Sequence, residues 1–217
     1  MVGVKIGMNQ EFEQALKAHL DWRRENGESW VWGVYQVANG DNMGDYILRS
    51  GFHTWADFDD YNEFLTRAAA HFFKMAGPYI NSFRGVITRV DDQNLLWPED
   101  NSSVNLIQVF QYRVKIGKTR DLTEVISKVH QALVQQNWPL HYSWEWNANG
   151  GEGIVAMLIL PFSSWESMQE PENPMESVLE QVYGKEQSQA LFAGFADSVE
   201  SVESRVFVVR RDLALIP

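Results

Sequence analysis

Val4-Lys5-Ile6-Gly7 recurs as Val114-Lys115-Ile116-Gly117, and each copy leads into a stretch with helical spacing. The same offset of 110 lays Ala38-Asn39-Gly40 on Ala148-Asn149-Gly150, Leu48 on Leu158, Phe52 on Phe162 and Trp55 on Trp165. That makes ten identities over the first 58 residues, where unrelated sequence gives roughly three or four, so the chain reads as a duplication. An offset of 121 then matches Arg84 with Arg205, Arg89 with Arg210 and Asp91 with Asp212. The second copy has gained about 11 residues ahead of its last strand. The expected division is a first repeat over 1–96, a polar linker over 97–103 and a second repeat over 104–217, with an extra helical insertion near 171–187.

Each copy spells strand, helix, strand, strand, helix, strand. In the second, Leu106 to Lys115 is an apolar strand ended by Gly117, and Leu122, Val125, Ile126, Val129 and Leu133 follow at helical spacing. Phe12, Leu16, Leu20 and Arg23 trace the matching helix of the first copy. Strands Trp30–Val37 and Leu140–Trp146 end in the hairpin signal Asn-Gly, and Tyr46–Phe52 and Ile154–Leu160 return from it. The last strands fall at Val86–Val90 and Arg205–Arg210. Within the insertion, Asn173-Pro174 reads as an N-cap followed by proline at the first helical position, and Gly184 suits a helix end. Helices from Pro174 to Tyr183 and from about Glu186 to Val202 are predicted.

The order βαββαβ is the ferredoxin-like unit, an α+β fold whose sheet carries both helices on one face. Ile154 to Leu160 has no polar alternation, so these strands need cover on their other face too. Two tandem repeats packed sheet to sheet would supply it, giving an eight-stranded barrel with four outer helices. The closing VKIG, the Asn-Gly hairpin, and Phe52-His53-Thr54-Trp55 with Phe162-Ser163-Ser164-Trp165 at the third-strand ends together resemble the dimeric α+β barrel superfamily. That group includes antibiotic-biosynthesis-type and heme-degrading monooxygenases and stress-responsive barrel proteins. Most members pair two chains, so the resemblance implies an intrachain pseudo-dimer here, with a further homo-oligomer left open. It also implies a cofactor-independent monooxygenase, or else a noncatalytic ligand-binding or stress-response protein.

The net charge of −11 argues against a broad basic surface for nucleic acid. No apolar run approaches the ~20 residues of a membrane span. The absence of cysteine removes disulfides and thiolate chemistry. MVGVKIGMNQ lacks the pattern of a signal peptide, yet the first copy has only three residues before VKIG where the second has about eight. Either the first strand is short or a longer precursor was processed, so the compartment is open between cytoplasm and export. Nine tryptophans suit aromatic core filling or a cavity for a flat, apolar ligand.

No phosphate loop, nucleophile elbow or His-Glu-x-x-His helix is present. Of the five histidines, none is matched by a histidine in the other copy, so any histidine chemistry belongs to one half. His71 lies at the edge of the stripe Phe64, Ala68, Phe72 and Met75, ten residues after Tyr61. These two are the candidate catalytic pair. Trp32, Tyr35, His53 and Trp55 are candidate ligand-binding residues. His141 and Glu145 join them as an acid–base pair on one strand face, while His19 and His130 read as structural. In the heme-acting relatives a helix histidine ligates iron beside a first-strand Asn and a helix Trp. Here Gln108, Phe110 and Tyr61 stand in those places, so no cofactor is expected. Asp57, Asp59 and Asp60 complement a helix N-terminus, and no metal is called for. At the positions of His53, His71, Tyr35, Tyr46 and Tyr61 the second copy has Ser163, Phe192, Glu145, Ala156 and Pro171. The first copy is therefore expected to hold the more polar cleft, with Trp32 and Trp55 as its wall.

Overall fold

The computed structural model describes residues 1–215. They divide into two compact units, one formed by Met1–Arg84 with the stretch from Phe207 onward, the other by Gly85–Val206. Among the described residues there are nine strands and five α-helices, a mixed α+β composition. None of the helices among the described residues is long and apolar enough to cross a membrane.

Unit 1 contains β1 (Val2–Val4), α1 (Asn9–Glu25), β2 (Gly33–Val37), β3 (Tyr46–Arg49), α2 (Trp55–Ala76) and β4 (Ile80–Phe83). The strands run in the order β4-β1-β3-β2, all antiparallel. The final three residues of β9 (Val199–Val209) then pair with β2, Tyr35 opposite Val209 and Val37 opposite Phe207. Gly7 turns the chain from β1 into α1 at φ +82°, where a Cβ would be strained. The apolar stripe of α1 buries Phe12, Leu16 and Leu20 against Val34, Tyr46 and Phe72. Thr54 caps α2 reciprocally: Asp57 N–H donates to Thr54 Oγ1 at 3.3 Å, and Thr54 N–H donates to Asp57 Oδ2 at 2.6 Å.

Unit 2 contains β5 (Ile87–Leu96), β6 (Leu106–Val114), α3 (Thr119–Gln135), β7 (Tyr142–Asn149), β8 (Ile154–Phe162), α4 (Met175–Tyr183), α5 (Lys185–Ser198) and the first part of β9. Its order is β9-β6-β8-β7-β5. β6 and β8 are in register from Leu106–Phe162 to Val114–Ile154. Tyr142 through Trp146 are buried without alternation, as a strand covered on both faces requires.

Several boundaries differ from the sequence reading. β2 starts at Gly33, not Trp30, and β3 ends at Arg49, short of Phe52, which takes φ +66° and is 97% exposed. The strand expected at Val86–Val90 is β5, and it belongs to unit 2. Unit 1 is closed instead by β4, whose sequence Ile-Asn-Ser-Phe carries no strand pattern and which exists through pairing with β1. Residues 97–103 have no helix or strand, and both strands they join lie in unit 2. The insertion forms two helices separated at Gly184, whose φ of +81° and ψ of 162° suit glycine alone. Pro174 is the N-cap, one position later than expected, and α5 stops at Ser198 because β9 begins there.

Candidate functional site

The buried stripe of α1 contains two residues that water would normally claim, His19 at 2% and Arg23 at 7% exposure. A charge inside a helix interface must find a partner. Arg23 finds Glu28, which the α1–β2 connection turns inward, with Nε to Oε2 at 2.5 Å. The Glu28 carboxylate is then fully used. Tyr61 on α2 donates its hydroxyl to it, 2.8 Å from each oxygen, and Trp30 N–H donates to Oε1 at 2.7 Å. Arg23 also donates to the Tyr61 hydroxyl through Nη2. Its guanidinium lies 4.6 Å from the centre of the Trp32 ring, a cation–π contact.

The network continues outward. Arg23 Nη1 is 3.4 Å from His19 Nε2, and His19 Nδ1 is 3.0 Å from His71 Nδ1 on α2. Tyr61 and His71, three helical turns apart, are thus joined through Arg23 and His19 of the facing helix. Aromatic rings frame this chain. Trp22 stacks on His71 with centroids 4.5 Å apart and planes 9° apart. Trp30 stacks on Tyr61 at 3.8 Å and on His53 at 3.6 Å. His71 and Trp22 are half-buried, so the network reaches the surface between α1 and α2.

Burial, followed by the charge of Arg23 and the neighbouring His71, lowers the His19 pKa to about 3. Burial and then Lys74 lower that of His71. Burial pushes the Tyr61 hydroxyl well above the usual range, with the hydrogen bond to Glu28 adding to it. At neutral pH the site therefore offers two neutral imidazoles and a protonated phenol around a buried ion pair.

Four of the eight sequence candidates meet here: Tyr61, His71, Trp32 and, through Trp30, His53. His53 is also 2.7 Å from Ser50 Oγ. The others do not join them. Tyr35 lies on β2 over Gly33. Trp55 is 61% exposed at the start of α2, because the helix begins there and turns it outward, so it is no wall. His141 is exposed ahead of β7, whereas Glu145 is buried within it and accepts from Thr88 Oγ1 at 2.8 Å. They do not form the expected pair, since the strand starts after His141. His19, Arg23, Glu28, Trp22 and Trp30 were absent from the candidate set. One signal for them was in the sequence: Arg23 occupies a stripe position that should be apolar.

Heme, which the resemblance raised, could be met here only by the outward nitrogen of His71, since Nδ1 is hydrogen-bonded to His19 and Trp22 is stacked on the ring with centroids 4.5 Å apart. No group of three or more His, Asp or Glu side chains among the described residues is placed to hold a metal ion. Two open concavities, of about 570 and 220 Å³, lie along α3 in unit 2 and are lined by polar residues such as Arg120, Glu124 and Lys128.

No family model matches the sequence, and no curated protein matches it. Solved structures do match by shape. An anthrone oxidase-like protein superposes at TM-score 0.60 with 12% identity, over 97% of this chain and 88% of its own. Two proteins carrying the name monooxygenase also match. The one from Fusobacterium nucleatum gives TM-score 0.58, 12% identity, and coverage of 96% and 88%. The one from Lactobacillus acidophilus NCFM gives 0.56, 10%, and 96% and 90%. At identities this low the likeness is one of fold alone, a mixed α+β arrangement shared with these three proteins.

Proposed function

We propose that this chain is a fused duplication of a ferredoxin-like unit, a single-chain dimeric α+β barrel. We further infer that it holds a small apolar or aromatic molecule at the α1–α2 face of unit 1 and oxidises it with dioxygen without a resident cofactor. Several likenesses between the units support the duplication. Both have the sheet order of a βαββαβ fold, α1 and α3 are 17 residues each at an offset of 110, and Gly7 and Gly117 share φ near +83°. The neighbours' names, one anthrone oxidase-like and two monooxygenase, support an oxidation, and the family resemblance of the sequence suggests a phenolic or quinol-type ring as its substrate. In such a reaction the electrons come from the substrate, so the protein's work is to hold the ring and settle charge on its oxygen.

The single observation that carries the assignment is the neutral His19–His71 pair reaching a half-buried surface beneath Trp22. His71 would meet the ligand, Tyr61 would anchor the network, and Trp32 and His53 would support it. A noncatalytic ligand-binding or interaction role is the second reading. It is favoured by Tyr61, whose hydroxyl is already committed to Glu28. Oxygen uptake with anthrone separates the two. The proposal predicts uptake above the rate in buffer, lost in a folded His71→Ala variant. Binding of anthrone without uptake would favour the second reading, and a rate unchanged by His71→Ala would overturn the assignment of the site.

A further inference from the structure

His19 and His71 meet through the same ring nitrogen, Nδ1 to Nδ1 at 3.0 Å. Two like nitrogens share a hydrogen bond only if one of them carries the proton. One contact further in decides which. Arg23 Nη1 lies 3.4 Å from His19 Nε2, and a guanidinium can only donate. His19 Nε2 therefore accepts, and a neutral imidazole has a single N–H, so the proton of His19 sits on Nδ1. That proton is donated to His71 Nδ1. His71, being neutral as well, is left with its own proton on Nε2, on the side of the ring away from His19.

The ring cannot easily escape this arrangement. Glu28 holds Arg23 through Nε, fixing the guanidinium that holds His19. Trp22 lies parallel to His71 and limits its rotation. The geometry points to His71 as a hydrogen-bond donor whose tautomer is locked by Arg23 through His19, so that this face takes a ligand oxygen that accepts: the carbonyl, enolate or phenolate oxygen of a planar aromatic. The same reasoning makes His71 a donor and not a base in this tautomer, since its outward nitrogen has no free lone pair. This inference rests on reading the α1–α2 face as the ligand site. Arg23 and His19 are positioning residues in it.

Two measurements keep the parts separate. In ¹⁵N-histidine-labelled protein without ligand, the His71 proton should be on Nε2. His19→Phe keeps a ring in place but removes the donor, and should spread that proton over both nitrogens. Arg23→Lys, which preserves charge, should loosen the tautomer of His19 itself. A proton on Nδ1 of His71, or a tautomer indifferent to His19→Phe, would overturn the lock. Titration of 4-nitrophenol then tests the ligand class. Bound dye should ionise at a lower pH than free dye, with the phenolate favoured several-fold, and His71→Phe should abolish the shift. If the tautomer is as described but the dye binds nowhere near Trp22, or ionises at a higher pH when bound, the accepting-oxygen assignment falls and the face is not the site.

Discussion

The helix layers of the two units begin alike and end differently. α1 and α3 both follow a left-handed glycine, have the same length, and bury Phe12 and Leu122, or Leu16 and Ile126, at matching positions. Beyond that they part. His19, Arg23 and Glu28 in unit 1 correspond to Val129, Leu133 and Trp138 in unit 2. On the facing helix, the 121 offset pairs His71 with Phe192. The backbone gives another register: Lys5 N–H donates to Tyr79 O and Lys115 N–H to Ser198 O, so β4 and β9 start 119 residues apart and on that offset His71 falls opposite Ala190. At the positions of His19 and Arg23 the same backbone is thus closed in unit 2 by the apolar Val129 and Leu133. Unit 1 closes it with a buried ion pair and two imidazoles, which apolar packing often matches or exceeds in stability. A costly polar network where a cheaper solution exists nearby in the same chain is the reason to place function in unit 1.

The comparison can be broken by exchange. Arg23→Leu installs the unit 2 residue but strands the Glu28 carboxylate in the interior. It should destabilise by about 3–5 kcal/mol in urea unfolding. Adding Glu28→Trp should recover part of that, leaving Tyr61 without its acceptor. In unit 2, Leu133→Ala removes a buried side chain with 3% exposure and should cost about 2–5 kcal/mol through the cavity it leaves. If Arg23→Leu proved neutral, the network would not be buried as described.

Acid should separate the layers as well. His19 has its pKa lowered to about 3 when folded, whereas the unfolded chain takes up a proton near 6.5. The unfolded state therefore binds the extra proton, and the stability present above pH 6.5 is lost as pH falls toward 3. The slope approaches roughly 1.4 kcal/mol per pH unit for this group. Carboxylates such as Glu13, whose pKa is lowered chiefly by its hydrogen bonds with Arg210, lose stability over a lower range. Subtracting the profile of His19→Phe isolates the histidine. An unchanged profile would mean that His19 is charged in the fold.

Smaller effects test the outer elements. Gly184→Ala should cost about 1–3 kcal/mol, because φ +81° with ψ 162° excludes a side chain. Thr54→Ala should cost about 1 kcal/mol through the lost cap. Phe192→Ala should cost only about 1 kcal/mol, since Phe192 is 38% exposed and loses part of a buried face, not a core side chain.

The order of elements was legible because local signals agree with it: glycine turns after VKIG, helical spacing in α1 and α3, and Gly184 breaking the insertion. β4 was not, since Ile80–Phe83 has no pattern of its own and becomes a strand only beside Val2. The candidate site was half legible. Tyr61, His71, Trp32 and His53 could be chosen by residue type and stripe position. Glu28 could not, because a connection residue becomes a buried counter-ion only once α1, α2 and β2 have met. Arg23 was visible on the stripe of α1, and its charge at that position implied a partner that sequence spacing alone does not name.

The most direct test of whether chemistry belongs to unit 1 uses the indole N–H signals of the nine tryptophans, four of which fall in unit 1 and five in unit 2. During titration with 4-nitrophenol, Trp22 should shift most, with Trp30 and Trp32 following through the network, while Trp144 and Trp146 stay in place. Shifts centred on Trp144 and Trp146, with Trp22 unmoved, would contradict the account.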